Sequence, residues 1–106
     1  MLRPFLLAVF SLATPALAAQ PPQHDALRCA AIYGRTAEAF ESAGYLSTLD
    51  VTRMMAARLV NTHVSGPSEA RQAAYRRALA NTPATSWPLP ESHVRVLDAC
   101  MADFPG

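Results

Sequence analysis

From Cys29 onward, apolar or small side chains recur at steps of three and four. Cys29, Ile32, Tyr33, Thr36, Phe40 and Ala43 fall on one helical face, and Arg28, Arg35, Glu38 and Glu41 fall largely on the other. This spacing predicts a first helix over residues 26–43. Asp25 is its expected N-cap, because a carboxylate accepts from the free N–H groups of the first turn. Gly44 is the expected stop, since glycine takes the left-handed conformation that closes helices.

A second amphipathic run follows. Ser47 or Thr48 is its expected cap, and Val51, Met54, Met55, Leu59 and Thr62 are its expected inner face. Gly66-Pro67 ends it, and Pro67 suits the first turn of a third helix reaching to about residue 81. The inner face there is Ala70, Ala74, Tyr75, Ala78 and Leu79, small enough for close approach. TPATSWPLP, with three prolines in nine residues, is not a regular element. Pro90 opens a fourth helix to about residue 103, with the stripe Val94, Leu97, Cys100, Met101 and Phe104. No period-two strand and no internal repeat stand out. The expected fold class is all-α: a small bundle of about four helices with short connections.

The opening MLRPFLLAVFSLATPALAAQPPQ reads differently. Arg3 is a positive start, residues 5–13 are apolar, Thr14-Pro15 breaks the run, and Ala16-Leu17-Ala18 has the small-x-small form of a cleavage site. The apolar run is short of the about 20 residues that cross a bilayer. Residues 1–18 are therefore expected to be a cleaved signal peptide, with cleavage after Ala19 as the near variant. Residues 19–25 follow as an extended leader, and 26–106 as one helical domain. No stable membrane span is expected after cleavage. No cysteine follows the site and no twin arginine precedes it.

Removing 18 of 106 residues leaves 88, a single domain with a thin core for its surface. Arg3 goes with the signal, so eight Arg balance eight Asp and Glu, and the chain has no Lys. That balance argues against a nucleic-acid partner, which selects a basic excess. The absence of Lys and the abundance of Ala fit a high-GC bacterial genome. With the signal, they place the protein in the periplasm or the medium.

In such a compartment the only two cysteines, Cys29 and Cys100, read as a disulfide between the first helix and the last. Chain-entropy arguments give a bridge of this span about 4 kcal/mol, against a total of about 5–15 kcal/mol for a small domain. Catalytic signatures are missing. No serine lies in G-x-S-x-G or S-x-x-K, and there is no Gly-rich phosphate loop. Four helices that all serve the core leave little room for a buried cleft. No enzyme activity and no cofactor are expected. His24, His63 and His93 lack metal-site spacing and read as solvated surface. Met54, Met55 and Met101 read as core filling.

Two features suggest a partner. Trp87 stands in the stiff segment Ser86-Trp87-Pro88-Leu89-Pro90. It is either a cap folded over the open end of the bundle beside Leu89, or an interface anchor, a role in which tryptophan is enriched. Arg71, Arg76 and Arg77 are either a solvated face or a docking patch for an acidic partner.

Leu27-Arg28-Cys29-Ala30-Ala31 near the start of the first helix, a cleavable signal and a second cysteine in the last helix resemble small uncharacterised exported proteins of α-proteobacteria. The resemblance brings no assigned activity. A looser similarity, in size, export, helicity and a single disulfide, is to periplasmic chaperones of the HdeA type. The leading expectation is a non-enzymatic exported protein that binds an envelope or secreted protein as an inhibitor, immunity or accessory subunit. A periplasmic acid-stress chaperone is the alternative: at low pH the carboxylates neutralise, eight Arg remain and the chain repels itself. A small-ligand or metal carrier using His63, His93 and the methionines is the second alternative.

Overall fold

The computed structural model describes residues 23–105. The signal segment and the leader up to residue 22 lie outside the described residues. Four helices follow in order: α1 Gln23–Ala43, α2 Leu46–His63, α3 Ser68–Ala80 and α4 Glu91–Asp103. No strand is present among the described residues. The fold class is the all-α one that the periodicity predicts, and the disulfide between Cys29 of α1 and Cys100 of α4 is formed, with Cα atoms 5.5 Å apart.

The arrangement is built around α1. Ala26, Ala30, Ala31, Gly34, Ala37 and Ala39 are all buried, so α1 is covered on several sides. Small side chains make this possible, because each removes a barrier to close approach. α1 packs against α2, α3 and α4. α2 also meets α3, whereas the backbone of α4 comes close to α1 alone and only its side chains reach the core shared with α2. The main core cluster joins Cys29, Ala30 and Tyr33 of α1, Ala56, Leu59 and Val60 of α2, Val64, and Cys100.

Each contact has its own lock. At the start of α1 the backbone N–H and hydroxyl of Ser65 both donate to Gln23 Oε1 at 3.1 Å. Against α3, Arg35 donates through Nη2 to the Leu79 carbonyl at 2.8 Å and through Nε to the Thr82 carbonyl at 3.0 Å. These carbonyls lie at the C-terminal end of α3, where free acceptors gather. Against α4, the disulfide holds one end and a side-chain hydrogen bond, Thr36 to His93, holds the other.

Several expectations on boundaries and faces are corrected. Residues 23–25 are helical rather than extended, so Asp25 lies within the first turn of α1 instead of capping it. Ser47 and Thr48 lie inside α2, whose preceding residue Tyr45 makes no side-chain cap. Gly44 closes α1 with φ +83°, as its position predicts. The inner face of α2 is Leu49, Thr52, Ala56, Leu59 and Val60, while Val51 and Met54 are exposed. Both sets have helical spacing. The larger side chains pointed to the wrong one, because a helix of small residues packs best against other small ones. On α4, Val94 and Met101 are exposed, and Val96 and Leu97 pack on the core instead. Core filling is thus contradicted for Met54 and Met101. α3 has no fully buried residue.

Candidate functional site

Gly44 turns the chain at the end of α1, and the turn sets Tyr45 beside Phe40, ring centroids 6.4 Å apart and edge to face. The Tyr45 N–H donates to the Phe40 carbonyl at 2.9 Å, which fixes the pair. Trp87 arrives from the connection between α3 and α4 and completes the group. Its ring lies 5.4 Å from Phe40 and 5.2 Å from Tyr45. Such tilted and edge contacts add to the burial of area. Trp87 nevertheless keeps 44% of its surface open and Tyr45 47%, and Leu46 beside them is 62% exposed.

The connection that carries Trp87 is held at both ends. At its start, Thr82 donates its hydroxyl to the Ala78 carbonyl at 2.8 Å, and its own carbonyl accepts from Arg35. At its end, the backbone N–H groups of His93 and Val94 both donate to the Pro90 carbonyl at 3.0 Å. Between them stand three prolines, Pro83, Pro88 and Pro90, and the Trp87–Pro88 bond is cis.

His93 is not the solvated histidine that its sequence position predicts. Thr36, 1% exposed, donates its hydroxyl to the Ile32 carbonyl at 2.7 Å. Its oxygen must therefore accept at 2.8 Å from His93 Nε2, which carries the proton in the neutral ring. Burial lowers the His93 pKa below the usual histidine value. The consequence has a definite sign. Above the unfolded value of about 6.5 the ring is neutral in both states. As pH falls below that value the unfolded chain takes up the proton first, so folding weakens until the native ring titrates too. Replacing His93→Gln keeps a donor for Thr36 and is expected to remove this loss. Urea midpoints of the two proteins measured between pH 7 and 4 check it: the gap must move in favour of the variant as pH falls.

The other predicted residues are dispersed. Leu89 is half-buried. Arg71, Arg76 and Arg77 do not form one face, since steps of one, five and six residues spread around a helix. Arg71 curls back to donate to the Gly66 carbonyl at 2.6 Å, Arg76 is exposed, and Arg77 lines a cleft with Arg28 and His24. His24 lies 3.1 Å from Asp25, and His63 meets the Phe104 ring at 5.1 Å. Among the described residues no group of three His, Cys, Asp or Glu gathers as metal ligands. No described helix is long and apolar enough to cross a membrane.

Sequence reasoning singled out Trp87 but missed Phe40 and Tyr45 as its partners. Phe40 was assigned to a buried stripe, and Tyr45 follows a helix stop. The usable signal was an aromatic on each side of Gly44, a pairing that a tight turn brings together. No family model, no curated protein and no solved structure matches this chain.

Proposed function

We propose that this chain is a non-enzymatic, exported protein-binding module, of the kind that serves as an inhibitor, immunity or accessory subunit, and that its anchor is the aromatic edge of Phe40, Tyr45 and Trp87. One observation carries the reading. Trp87 is packed against two rings on a segment tied at both ends, yet almost half of it faces solvent. A ring used only as a cap gains most when covered. A ring held rigid and half open loses little entropy when a partner covers it, and tryptophan is among the residues that dominate interface energies. Tyr45, in contact with Trp87, is equally open, and the adjoining Leu46 is exposed as well.

The acid-stress chaperone is the second reading. Its support is that the α4 backbone comes near α1 alone, and that this contact includes one disulfide and one histidine whose protonation disfavours the closed state. Cross-linking in the native envelope fraction, followed by mass spectrometry, distinguishes the two. A single partner at fixed stoichiometry near neutral pH is the expected result. A broad set of unrelated proteins that grows as pH falls would favour the chaperone.

A further inference from the structure

We propose that the cleft between α1 and α3 binds a small amphipathic anion, its carboxylate or phosphate head held by Arg28 and Arg77 and its short apolar body lying on Leu27, Ala74 and Ala78. This goes beyond the protein-binding reading above and does not rest on it. Arg28 and Phe40 stand twelve residues apart on α1, about 18 Å, so the cleft and the aromatic edge are separate places.

Helical spacing builds the cleft. Ala74, Arg77, Ala78 and Asn81 follow one another at steps of three and four, so they share the face of α3 that meets the start of α1. Leu27 and Arg28 come from α1. Leu27, Ala74 and Ala78 are half-buried and make an apolar floor. The two alanines leave room, and the cleft has a volume of about 350 Å³. At the share of about 30 Å³ that a water takes in the liquid, this holds roughly ten to twelve non-hydrogen atoms. That lies at the lower end of the range of ligand sites.

The arginines at its rim are uncommitted. Arg35, Arg53, Arg71 and Arg95 all donate to carbonyls or carboxylates, and Arg58 is engaged too. Arg28, Arg76 and Arg77 make no hydrogen bond and no ion pair among the described residues. Two of these three line the same cleft, from facing helices. A guanidinium presents a fork of N–H donors that matches a carboxylate or a phosphate. The Asn81 side chain, also without a partner among the described residues, adds a neutral amide donor at the same rim.

The surroundings leave the positive charge unanswered. No Asp or Glu lines the cleft. Asp25 is paired with His24, which stands at the rim, at 3.1 Å. The C-terminal end of α3 would repel an anion through its free carbonyls. There, however, Arg35 donates to the Leu79 and Thr82 carbonyls, and the Thr82 hydroxyl donates to that of Ala78. Arg28 also borders a hollow on its α4 side, with Arg95 and Asp103. That hollow carries a carboxylate and the α1–α3 cleft carries none, so an anion selects the cleft.

The floor selects the rest of the ligand. Apolar side chains under a cationic rim cannot satisfy a second polar group at the bottom, so the head is charged and the body is not. The volume excludes a nucleotide or a folded peptide. The Leu27–Ala31 stretch then divides by task. Cys29 makes the bridge, Ala30 and Ala31 are buried, and Leu27 and Arg28 are the two that face the cleft. Charge counting in the sequence grouped Arg77 with Arg71 and Arg76, whereas the fold groups it with Arg28.

The test titrates the purified protein, disulfide intact, with octanoate and with phenyl phosphate, and follows backbone amide resonances. The expected result is saturable shifts at Leu27, Ala78 and Asn81 below about 10 mM ligand. Octanamide, the same body without the charge, must bind about tenfold more weakly; this comparison needs no variant. Arg28→Gln and Arg77→Gln must each weaken octanoate about tenfold without changing the melting curve, and Arg76→Gln must not. The effect must shrink as salt is raised. Octanamide binding as tightly as octanoate overturns the anion site, as do arginine variants that bind normally. Shifts confined to Ser92, Val96 and Ala99 place the ligand on the α4 side and overturn the cleft. No saturable shift with either probe overturns the proposal, and so does binding only to vesicles of anionic lipid, which would make the arginines a membrane contact. Each of these failures leaves the aromatic edge and its partner untouched.

Discussion

Replacing Cys29 and Cys100 together by alanine is expected to cost about 4 kcal/mol, the loop-closure entropy of a bridge of this span. The bridge spans 71 residues, nearly all of the described chain. Its position in the fold sharpens the expectation. The backbone of α4 comes near α1 alone, and Cys100 is its only fully buried residue. Without the bond, α4 keeps the Thr36–His93 hydrogen bond and the half-buried contacts of Val96, Leu97 and Phe104. In a domain of this size a loss of 4 kcal/mol lowers the melting temperature by about 20 °C. Thermal and urea unfolding of the double variant, compared with the wild type with and without reductant, checks this. The reduced wild type and the variant should coincide. A variant that melts within a few degrees of the oxidised protein would mean that α4 is held by packing alone.

Gly34→Val is expected to destabilise by about 3 kcal/mol, the upper part of the range for overpacking. Gly34 is buried in α1 where α3 crosses it. A Cβ built there meets the Tyr75 hydroxyl inside contact distance and Leu79 Cδ1 at 3.0 Å. Valine adds two methyl groups to that collision. α3 cannot simply slide away, because Arg35 binds the Leu79 and Thr82 carbonyls from the next position of α1. Gly34→Ala is expected to cost less, since alanine recovers about 1 kcal/mol of helix propensity. Urea unfolding gives the ranking, and the Tyr75 ring resonances report the displaced helix. Equal stability of the valine variant and the wild type would show that α3 does not need this close approach.

The sequence made the elements legible for a physical reason. Gly44, Gly66-Pro67 and the proline-rich segment at 82–90 punctuate the chain, and three- and four-residue spacing runs between them. The bridge was legible from cysteine count and compartment. Which face of α2 turns inward was not. Val51 and Met54 outweigh Thr52 and Ala56 in hydrophobicity, but the interior was set by the small residues of α1, whose central place a single sequence does not reveal. His93 was misread for a related reason: only the position of Thr36 across the α1–α4 contact makes it a half-buried donor. Of the candidate site, Trp87 was legible because tryptophan between prolines is conspicuous. Its partners were not, since the Phe40–Tyr45–Trp87 group joins residues from a helix, the turn after it and a distant loop. The arginines illustrate the limit of charge counting. Arg71, Arg76 and Arg77 are near neighbours in sequence, but helical rotation sends them to three different surroundings.

The measurement that bears most directly on the proposed function is the affinity of Trp87→Ala for the cross-linked partner, set beside its melting curve. If the aromatic edge is the anchor, affinity falls about 30-fold, the scale of an interface hot spot of about 2 kcal/mol, while helicity and melting change little. If the variant melts early and binds normally per folded molecule, Trp87 is a cap, and the aromatic edge is not where this protein meets its partner.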